Sequence, residues 1–158
     1  MKGNKGITLI ALVVTIIVLL ILAGVAIAML TGDNSILKRA QSTQAYSAIG
    51  AAKDEVNLAY NAAFAEYLKE KYEGTNTTVS DTRFDEILSA KITAADNTTN
   101  SRSTSAGSTK ITKEAGLIRV VYTDNQSQKK FESHASYSAT RNSESLGPWS
   151  AVNEDYNG

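Results

Sequence analysis

The chain has 158 residues, and its 16 lysines and arginines balance its 16 aspartates and glutamates, so the net charge is zero. That balance argues against a nucleic-acid-binding protein, which needs a surplus of basic side chains on one face. The absence of cysteine excludes disulfide frameworks, thiolate metal sites and cysteine nucleophiles. His134 is the single histidine, so paired-histidine chemistry and histidine-rich metal sites are excluded as well.

The decisive feature is an uncharged apolar segment near the N-terminus. Residues 7–30 read ITLIALVVTIIVLLILAGVAIAML, and the next charged side chain is Asp33. A helix of these 24 residues is about 36 Å long, enough to cross a hydrocarbon core of about 30 Å. Because only Thr8 and Thr15 interrupt the apolar run, the segment belongs in a membrane or in an equally dry protein assembly.

Two general interpretations of this segment are open. It can be a permanent single-pass anchor; the positive-inside rule then keeps Lys2 and Lys5 in the cytoplasm and places the rest of the chain outside. It can also be a cleaved secretory signal with Ala26-Ile27-Ala28 as the cleavage site, which would leave Met29 as the first residue. The apolar run is longer than the roughly 7–15 residues usual in such signals.

A third interpretation depends on the residues around Gly6. The stretch Lys5-Gly6-Ile7-Thr8-Leu9-Ile10, followed by aliphatic residues and then an amphipathic helix, resembles the start of type IV pilins and pseudopilins. In that family a prepilin peptidase cleaves a short basic leader after its final glycine, and the new N-terminal residue is usually methylated. The resemblance therefore implies a leader at 1–6, cleavage between Gly6 and Ile7, and N-methylation of Ile7.

Ala11 departs from the pattern of that family. Cleavage after Gly6 makes Ala11 the fifth mature residue, where most pilins have a glutamate. The glutamate is thought to pair with the N-terminal amine of a neighbouring subunit, because an unpaired charge is costly in an apolar interior. The hydroxyls of Thr8 and Thr15 can solvate the amine but cannot neutralise it. The departure therefore concerns how this subunit docks in a filament.

Gly24, Ala28 and Gly32 lie on one side of the predicted apolar helix. Small residues four apart allow the backbones of neighbouring helices to approach closely, which favours helix association in an apolar medium. The same residues are also common in any membrane helix. Packing against another subunit and ordinary membrane composition both remain open at this point.

Residues 33–73 predict a second, amphipathic helical half. Asn34 or Ser35 can cap it, and Gly74 reads as its end. The helical period is carried by Ile36, Ala40, Ile49, Ala52, Val56, Ala59, Ala63 and Tyr67. If the break near Gly32 is only a bend, the two halves form one rod of about 99 Å. A coiled-coil stalk is the alternative, although the alanine-rich face lacks sustained heptads.

Residues 74–158 predict a small globular head. A capping-box pattern from Thr82 to Asp85 favours a short helix over about 82–92, and the Ala/Thr/Ser/Asn-rich stretch 93–109 predicts a surface loop. Strand signals at 110–113, 117–123 and 129–137 indicate an antiparallel β-meander within about 110–137. The expected core of this α+β head consists of Ile111, Leu117, Ile118, Val120, Phe131 and Trp149, with Trp149 packed against the sheet.

The C-terminal residues 138–158 predict an irregular tail. Glu154 and Asp155 could bind calcium, but no regular Asp ladder with glycine is present, so a solvated tail is the simpler interpretation. His134 lies among serines in a predicted strand, and no motif supplies the orienting acid and oxyanion site of a serine hydrolase. No phosphate-binding loop is present either. We therefore expect a protein that is not an enzyme and that needs no metal or cofactor.

Together these patterns favour a structural subunit of a type IV pilus or pseudopilus. Its expected partners are copies of itself or other pilin-like subunits, the prepilin peptidase, and the membrane before assembly, and no nucleic acid. It is expected first in the cytoplasmic membrane with its C-terminal part outside, then in an extracellular filament. The alternative is a membrane-anchored or secreted surface binding protein whose Ser/Thr/Asn-rich head recognises a ligand.

Overall fold

The described residues form three α-helices and one antiparallel β-sheet, so the protein belongs to the α+β class, as predicted. The structure, a computed structural model, describes residues 3–32, 36–73, 80–138 and 146–158. The elements in chain order are α1 (Gly3–Thr31), α2 (Ile36–Glu73), α3 (Asp81–Ser101), β1 (Gly107–Glu114), β2 (Leu117–Asp124) and β3 (Lys130–Ser136). A long helical N-terminal part followed by a small sheet is the layout expected from the sequence.

The chain divides into two compact units, Met1–Thr43 and Gln44–Gly158. The first contains α1 and the beginning of α2, and the second contains the remainder of α2, α3 and the sheet. The predicted caps Asn34 and Ser35 and the predicted stop at Gly74 lie outside the described residues. The junction between α1 and α2, on which the prediction of a single rod depends, also lies outside the described residues.

The sheet is a three-stranded meander in the order β1-β2-β3. Glu114 pairs with Leu117 across a two-residue turn, in which Gly116 has a φ of +78°. Glycine adopts this left-handed backbone at little cost, so Gly116 makes the short turn possible. β2 and β3 lie where the sequence predicted strands, and β1 begins earlier than predicted, at Gly107 rather than residue 110.

One side of α2 forms the base of the hydrophobic core. Its buried residues are Ala45, Ile49, Ala52, Val56, Ala59, Tyr60, Ala63 and Tyr67. The predicted buried side is confirmed from Ile49 onward and is wrong at Ile36 and Ala40, which are exposed. Both precede Gln44, where the compact unit containing the core begins. The helical repeat of apolar residues therefore begins before Gln44, in a part of α2 that does not belong to the unit with the core.

Phe84 of α3 joins the two helices of the second unit. It is fully buried, and its ring meets Tyr60, Phe64 and Tyr67 of α2 edge-on at centroid distances of 5.5, 6.2 and 5.8 Å, the geometry that aromatic rings prefer. Two ion pairs also link α2 to α3, namely Glu70–Arg83 and Glu66–Lys91, and a third joins Glu55 of α2 to Arg102, the C-cap of α3. Because residue numbers fall along α2 as they rise along α3, the two helices run antiparallel.

The predicted short helix at 82–92 and the predicted loop at 93–109 both need correction. α3 continues to Ser101, and its additional turns extend the buried side through Ala95 and Thr99. Threonine, asparagine and serine are weak helix formers, which is why the sequence favoured a loop. Packing of these turns against the sheet overrides that preference.

Both edges of the sheet are covered. At the outer edge of β1, the backbone N–H of Ile111 donates a 2.7 Å hydrogen bond to the Asp96 carboxylate of α3. At the edge of β3, Asn153 and Glu132 exchange two backbone hydrogen bonds of 3.0 and 2.8 Å. The tail, predicted as irregular and solvated, therefore pairs with the sheet. Covered edges protect a small sheet from pairing with other chains.

The predicted head core is largely confirmed. Ile111, Ile118, Val120 and Phe131 are buried, whereas Leu117 is only half-buried because it lies on the outer side of β2. Trp149 packs at the margin of the core. Its indole also makes contacts with α2 that the sequence did not predict, since Nε1 donates to Asn57 Oδ1 at 3.3 Å and Lys53 Nζ lies 5.5 Å from the ring centroid.

We expect Gly107→Ala to destabilise the second unit. A Cβ at this position would collide with the Tyr122 hydroxyl and would lie 2.7 Å from the Thr123 carbonyl oxygen. Overpacking of this kind costs about 1–3 kcal/mol. Urea unfolding of the full chain in detergent micelles, followed by Trp149 fluorescence, measures the effect. Gly50→Ala is the control, because its Cβ would meet nothing within 4 Å. Alanine in place of a helical glycine should raise the free energy of unfolding by about 0.5–1 kcal/mol. Equal stability of the two variants would contradict the prediction.

Candidate functional site

The candidate site is α1 itself, because its whole surface is open. Every residue from 5 to 31 is exposed, and the aliphatic side chains on all sides of the helix keep between 48% (Val18) and 69% (Ile7) of their surface accessible. The helix is long and apolar enough to cross a membrane. Exposed apolar surface of this extent requires lipid or other protein chains to cover it.

The polar groups within α1 are compatible with a dry environment. The hydroxyl of Thr15 donates to the Ala11 carbonyl oxygen at 2.6 Å, and that of Thr31 donates to the Ile27 carbonyl oxygen at 2.9 Å. A hydroxyl that donates to a carbonyl oxygen of the preceding turn has its donor satisfied within the helix. It therefore needs no water or other partner in an apolar medium. These threonines therefore do not oppose burial of the helix.

The predicted processing site lies near the beginning of α1. Gly6 and Ile7 are both helical and exposed, whereas Met1 and Lys2 lie outside the described residues. A peptidase needs an accessible, locally unwound backbone, and two features make unwinding easy here. Helix ends fray, and Gly6 has low helix propensity. The first turn also has no acidic side chain to stabilise the helix N-terminus.

Ala11, Gly24 and Ala28 are exposed on α1, whereas Gly32 directly follows α1 and is half-buried. Ala11 is exposed, and its carbonyl oxygen is engaged by Thr15. A Cβ added at Gly24 would meet nothing within 4 Å, whereas one at Gly32 would lie 3.0 Å from the Ala28 carbonyl oxygen. A side chain at Gly24 would therefore cause no strain within the chain, and any cost of adding one would arise in contact with a neighbour.

His134 lies in a polar cluster between β3 and the tail. Its Nδ1 is 2.8 Å from the Glu132 carboxylate and 3.4 Å from the Ser150 hydroxyl. Its backbone N–H also donates to that hydroxyl at 3.0 Å. In a serine-hydrolase triad the serine and the acid contact different ring nitrogens. Here both contact the same one, so this cluster ties the tail to the sheet and is not arranged as a relay.

Glu154 and Asp155, considered above as calcium ligands, face a cation of the protein itself. Lys129 Nζ lies 3.9 Å from Glu154 and 3.8 Å from Asp155. Glu154 also accepts a 2.9 Å hydrogen bond from the Tyr46 hydroxyl of α2. In the parts of the chain that the structure describes, no three acidic or histidine side chains are grouped as metal ligands.

Asp85, Lys113 and Tyr137 form a cluster that the sequence did not reveal. Asp85 Oδ1 accepts a 2.8 Å hydrogen bond from the Tyr137 hydroxyl and lies 2.9 Å from Lys113 Nζ. The predicted capping box from Thr82 to Asp85 is wrong, because the N-cap of α3 is Ser80 rather than Thr82, and the Ser80 side chain makes no capping hydrogen bond. Asp85 instead contacts Lys113 of β1 and Tyr137, which directly follows β3. These contacts join segments that are far apart in the sequence.

We expect the second unit to lose stability in alkaline solution. Burial raises the pKa of Tyr137. Burial alone would lower the pKa of Lys113, but its contacts with Asp85 and Tyr137 raise it overall. A pKa that is raised by folding adds stability below the unfolded pKa, and this stability is lost as the pH rises through the folded value. The free energy of unfolding should therefore fall above about pH 10.

Urea titrations of the full chain at about pH 8 and pH 11 measure this loss. Burial lowers the pKa of Lys53, so its titration changes the stability in the opposite direction. The contribution of the Asp85, Lys113 and Tyr137 cluster therefore has to be isolated. Tyr137→Phe removes one titrating group and should reduce the alkaline loss. The same loss in the wild type and in Tyr137→Phe would contradict a role for Tyr137.

Comparisons with protein families, with curated proteins and with solved structures gave no match to this chain. The function therefore has to be argued from the residues and geometry described above. Three features bear on function: the exposed apolar helix α1, Gly6 directly before its apolar run, and the small second unit that contains the sheet.

Proposed function

We propose that the chain is a structural subunit of a type IV pilus or a pilus-like filament. The observation that carries the proposal is α1, a helix without a charged residue between Ile7 and Leu30 that is exposed on every side. A soluble helix would have one polar side, and a simple anchor has no need of a glycine directly before the apolar run. The proposal also assigns cleavage to the Gly6–Ile7 bond.

In this proposal α1 occupies two dry environments in succession. It first spans the cytoplasmic membrane, with the second unit outside. It then enters the centre of a helical filament, where the α1 helices of other copies or of related subunits surround it. Because lipid tails and packed aliphatic side chains are similarly apolar, the transfer changes the hydrophobic free energy of α1 little. Gly24, Ala28 and Gly32 are the proposed sites of close helix approach.

Removal of the leader is the proposed control of assembly. Lys2 and Lys5 precede the apolar run that would enter the filament, and residues 7–158 retain 14 basic against 16 acidic side chains. Each charged side chain in an apolar interior costs about 2.5–3.5 kcal/mol. Cleavage after Gly6 removes both lysines, so only processed chains assemble. The role is structural and serves adhesion, motility, DNA uptake or secretion at the cell surface.

Mass spectrometry of the mature N-terminus tests the proposal. A chain that begins at Ile7, with or without a methyl group, supports it. A chain that begins at Met29 identifies a secretory signal, and one that retains Met1 identifies a permanent anchor; either result supports the alternative of a surface binding protein. Gly6→Leu should block cleavage, whereas Gly3→Leu, three residues away, should leave it intact.

We expect Ala11→Glu to increase the yield of filaments. After cleavage the N-terminal amine of Ile7 carries a charge into the filament, and a carboxylate at position 11 could pair with the amine of a neighbouring copy. The amount of filament in the sheared cell-surface fraction measures the effect. Ala11→Gln, which cannot neutralise the amine, is the matched control. An unchanged or lower yield would show that packing of this subunit makes no use of the carboxylate.

A further inference from the structure

The outer side of α2 carries a row of residues that is exposed along its whole length. The row consists of Ser47, Ala51, Asp54, Leu58, Asn61, Ala62, Ala65, Lys69 and Tyr72. At 3.6 residues per turn these positions fall within an arc of about 100°. The arc lies opposite the side of α2 that packs in the core. We call this row the α2 outer face.

Five of the nine residues of the α2 outer face are apolar. Leu58 is 65% exposed and Tyr72 is 76% exposed, and the alanines 51, 62 and 65 lie between and beside them. Single exposed apolar residues are ordinary, but apolar residues that recur along one side of a helix favour a contact surface. The small side chains between the two large ones would allow another helix to approach closely.

Asp54 and Lys69 are the charged residues of this face. Among the described residues neither forms an ion pair. On the flank of the same helix Glu66 and Glu70 are paired with basic side chains of α3, and Glu55 is paired with Arg102, the C-cap of α3. Fifteen residues separate Asp54 from Lys69, which corresponds to about 22 Å along the helix axis. The face thus carries one free charge of each sign at a fixed distance.

We infer that the α2 outer face binds the α2 outer face of a second copy in parallel, with an axial shift of about 22 Å. In this register Asp54 of one copy meets Lys69 of the next. Leu58 then lies beside Tyr72, and Ala51 lies beside Ala65. The opposite charges favour a second copy, because an anionic membrane or a nucleic acid would select basic residues alone.

The shifted contact explains how assembly would continue. Each copy uses the Asp54 half of the face toward one neighbour and the Lys69 half toward another, which is a heterologous contact that leads to an open filament. The inference rests on the proposed function, since copies that enter one filament from one membrane share one direction along its axis, so that their equivalent helices run parallel. It adds a contact outside the apolar core that sets the axial register of the copies.

Charge reversal in the full-length processed chain tests the inference. Asp54→Lys and Lys69→Asp should each reduce the filament yield about five-fold, because each places like charges opposite one another. The chain with both substitutions restores opposite charges and should assemble within about two-fold of the wild type. Lys110→Asp, an exposed charge reversal on β1, is the matched control and should leave the yield unchanged.

Disulfide crosslinking tests the register directly, because the natural chain has no cysteine. Filaments that contain both Leu58→Cys and Tyr72→Cys chains should form a crosslink between copies. A crosslink of Leu58→Cys to Ala65→Cys instead would indicate antiparallel helices and would overturn the inference. Single reversals without effect, or a double reversal that does not restore assembly, would overturn it too.

These outcomes are separable from a failure of the proposed function. Filaments that form normally in all the charge variants would leave the pilin-like role intact and refute the contact. A chain that never begins at Ile7 and does not assemble would refute the role itself, and the contact with it.

Discussion

A lysine in place of Val18 should reduce the assembled fraction about a hundred-fold. Val18 lies near the middle of α1, and the charge-free stretch of 7–30 extends on both sides of it. A lysine at the centre of a membrane helix costs about 2.5–3.5 kcal/mol. The membrane and the filament would both bury this charge, so the penalty opposes insertion and assembly alike, relative to chains that remain in neither. The protein recovered from the alkali-washed membrane pellet and from the sheared surface fraction measures both effects.

Thr15→Val is the matched control for Val18→Lys. Position 15 lies about one turn before position 18, and valine has nearly the same shape as threonine. The substitution removes only the hydroxyl that donates to the Ala11 carbonyl oxygen. Membrane residence and filament yield should stay close to those of the wild type. Normal assembly of Val18→Lys would mean that α1 is not enclosed in an apolar environment, and the proposed function would be lost.

Phe84→Ala should lower the free energy of unfolding of the second unit by about 3–5 kcal/mol. The ring is fully buried and meets the rings of Tyr60, Phe64 and Tyr67. Its loss removes apolar burial and leaves a cavity where α2 and α3 cross. Urea unfolding in detergent micelles, followed by the near-ultraviolet circular dichroism of the aromatic residues, measures the change.

Tyr72→Ala separates burial from aromatic content in that experiment. Tyr72 lies on α2 as well, but its side chain is 76% exposed, so its loss should change stability by less than about 0.5 kcal/mol. A loss as large as that of Phe84→Ala would mean that aromatic content rather than burial between the helices sets the stability. A small effect of Phe84→Ala would show that α2 and α3 are not held together by this ring.

α1 could be predicted because its evidence is local. A stretch without charge from Ile7 to Leu30 excludes a solvated helix whatever the remainder of the chain does. The proposed processing site follows in the same way, since Gly6 and Ile7 are neighbours in sequence. The buried side of α2 from Ile49 onward could also be predicted, because a helix repeats its faces every three to four residues.

α3 shows where local evidence fails. Its second half is rich in threonine and asparagine, whose propensities favour a loop, but it is helical, with Ala95 and Thr99 buried and Asp96 bonded to β1. The capping-box prediction failed because α3 begins at Asp81, so Asp85 lies beyond the first turn and contacts Lys113 and Tyr137 instead. Partners from distant parts of the chain have no signature near Asp85 in the sequence.

The sequence alone thus determined that this protein has an apolar helix suited to a dry environment, an amphipathic helix and a β-meander. Only the tertiary structure decided which polar side chains pair, that the tail covers the edge of β3, and that Asp54, Leu58, Lys69 and Tyr72 remain exposed on one face. Periodicity specifies which residues share a side of an element. It does not specify whether another element covers that side, because coverage depends on contacts between segments far apart in the chain.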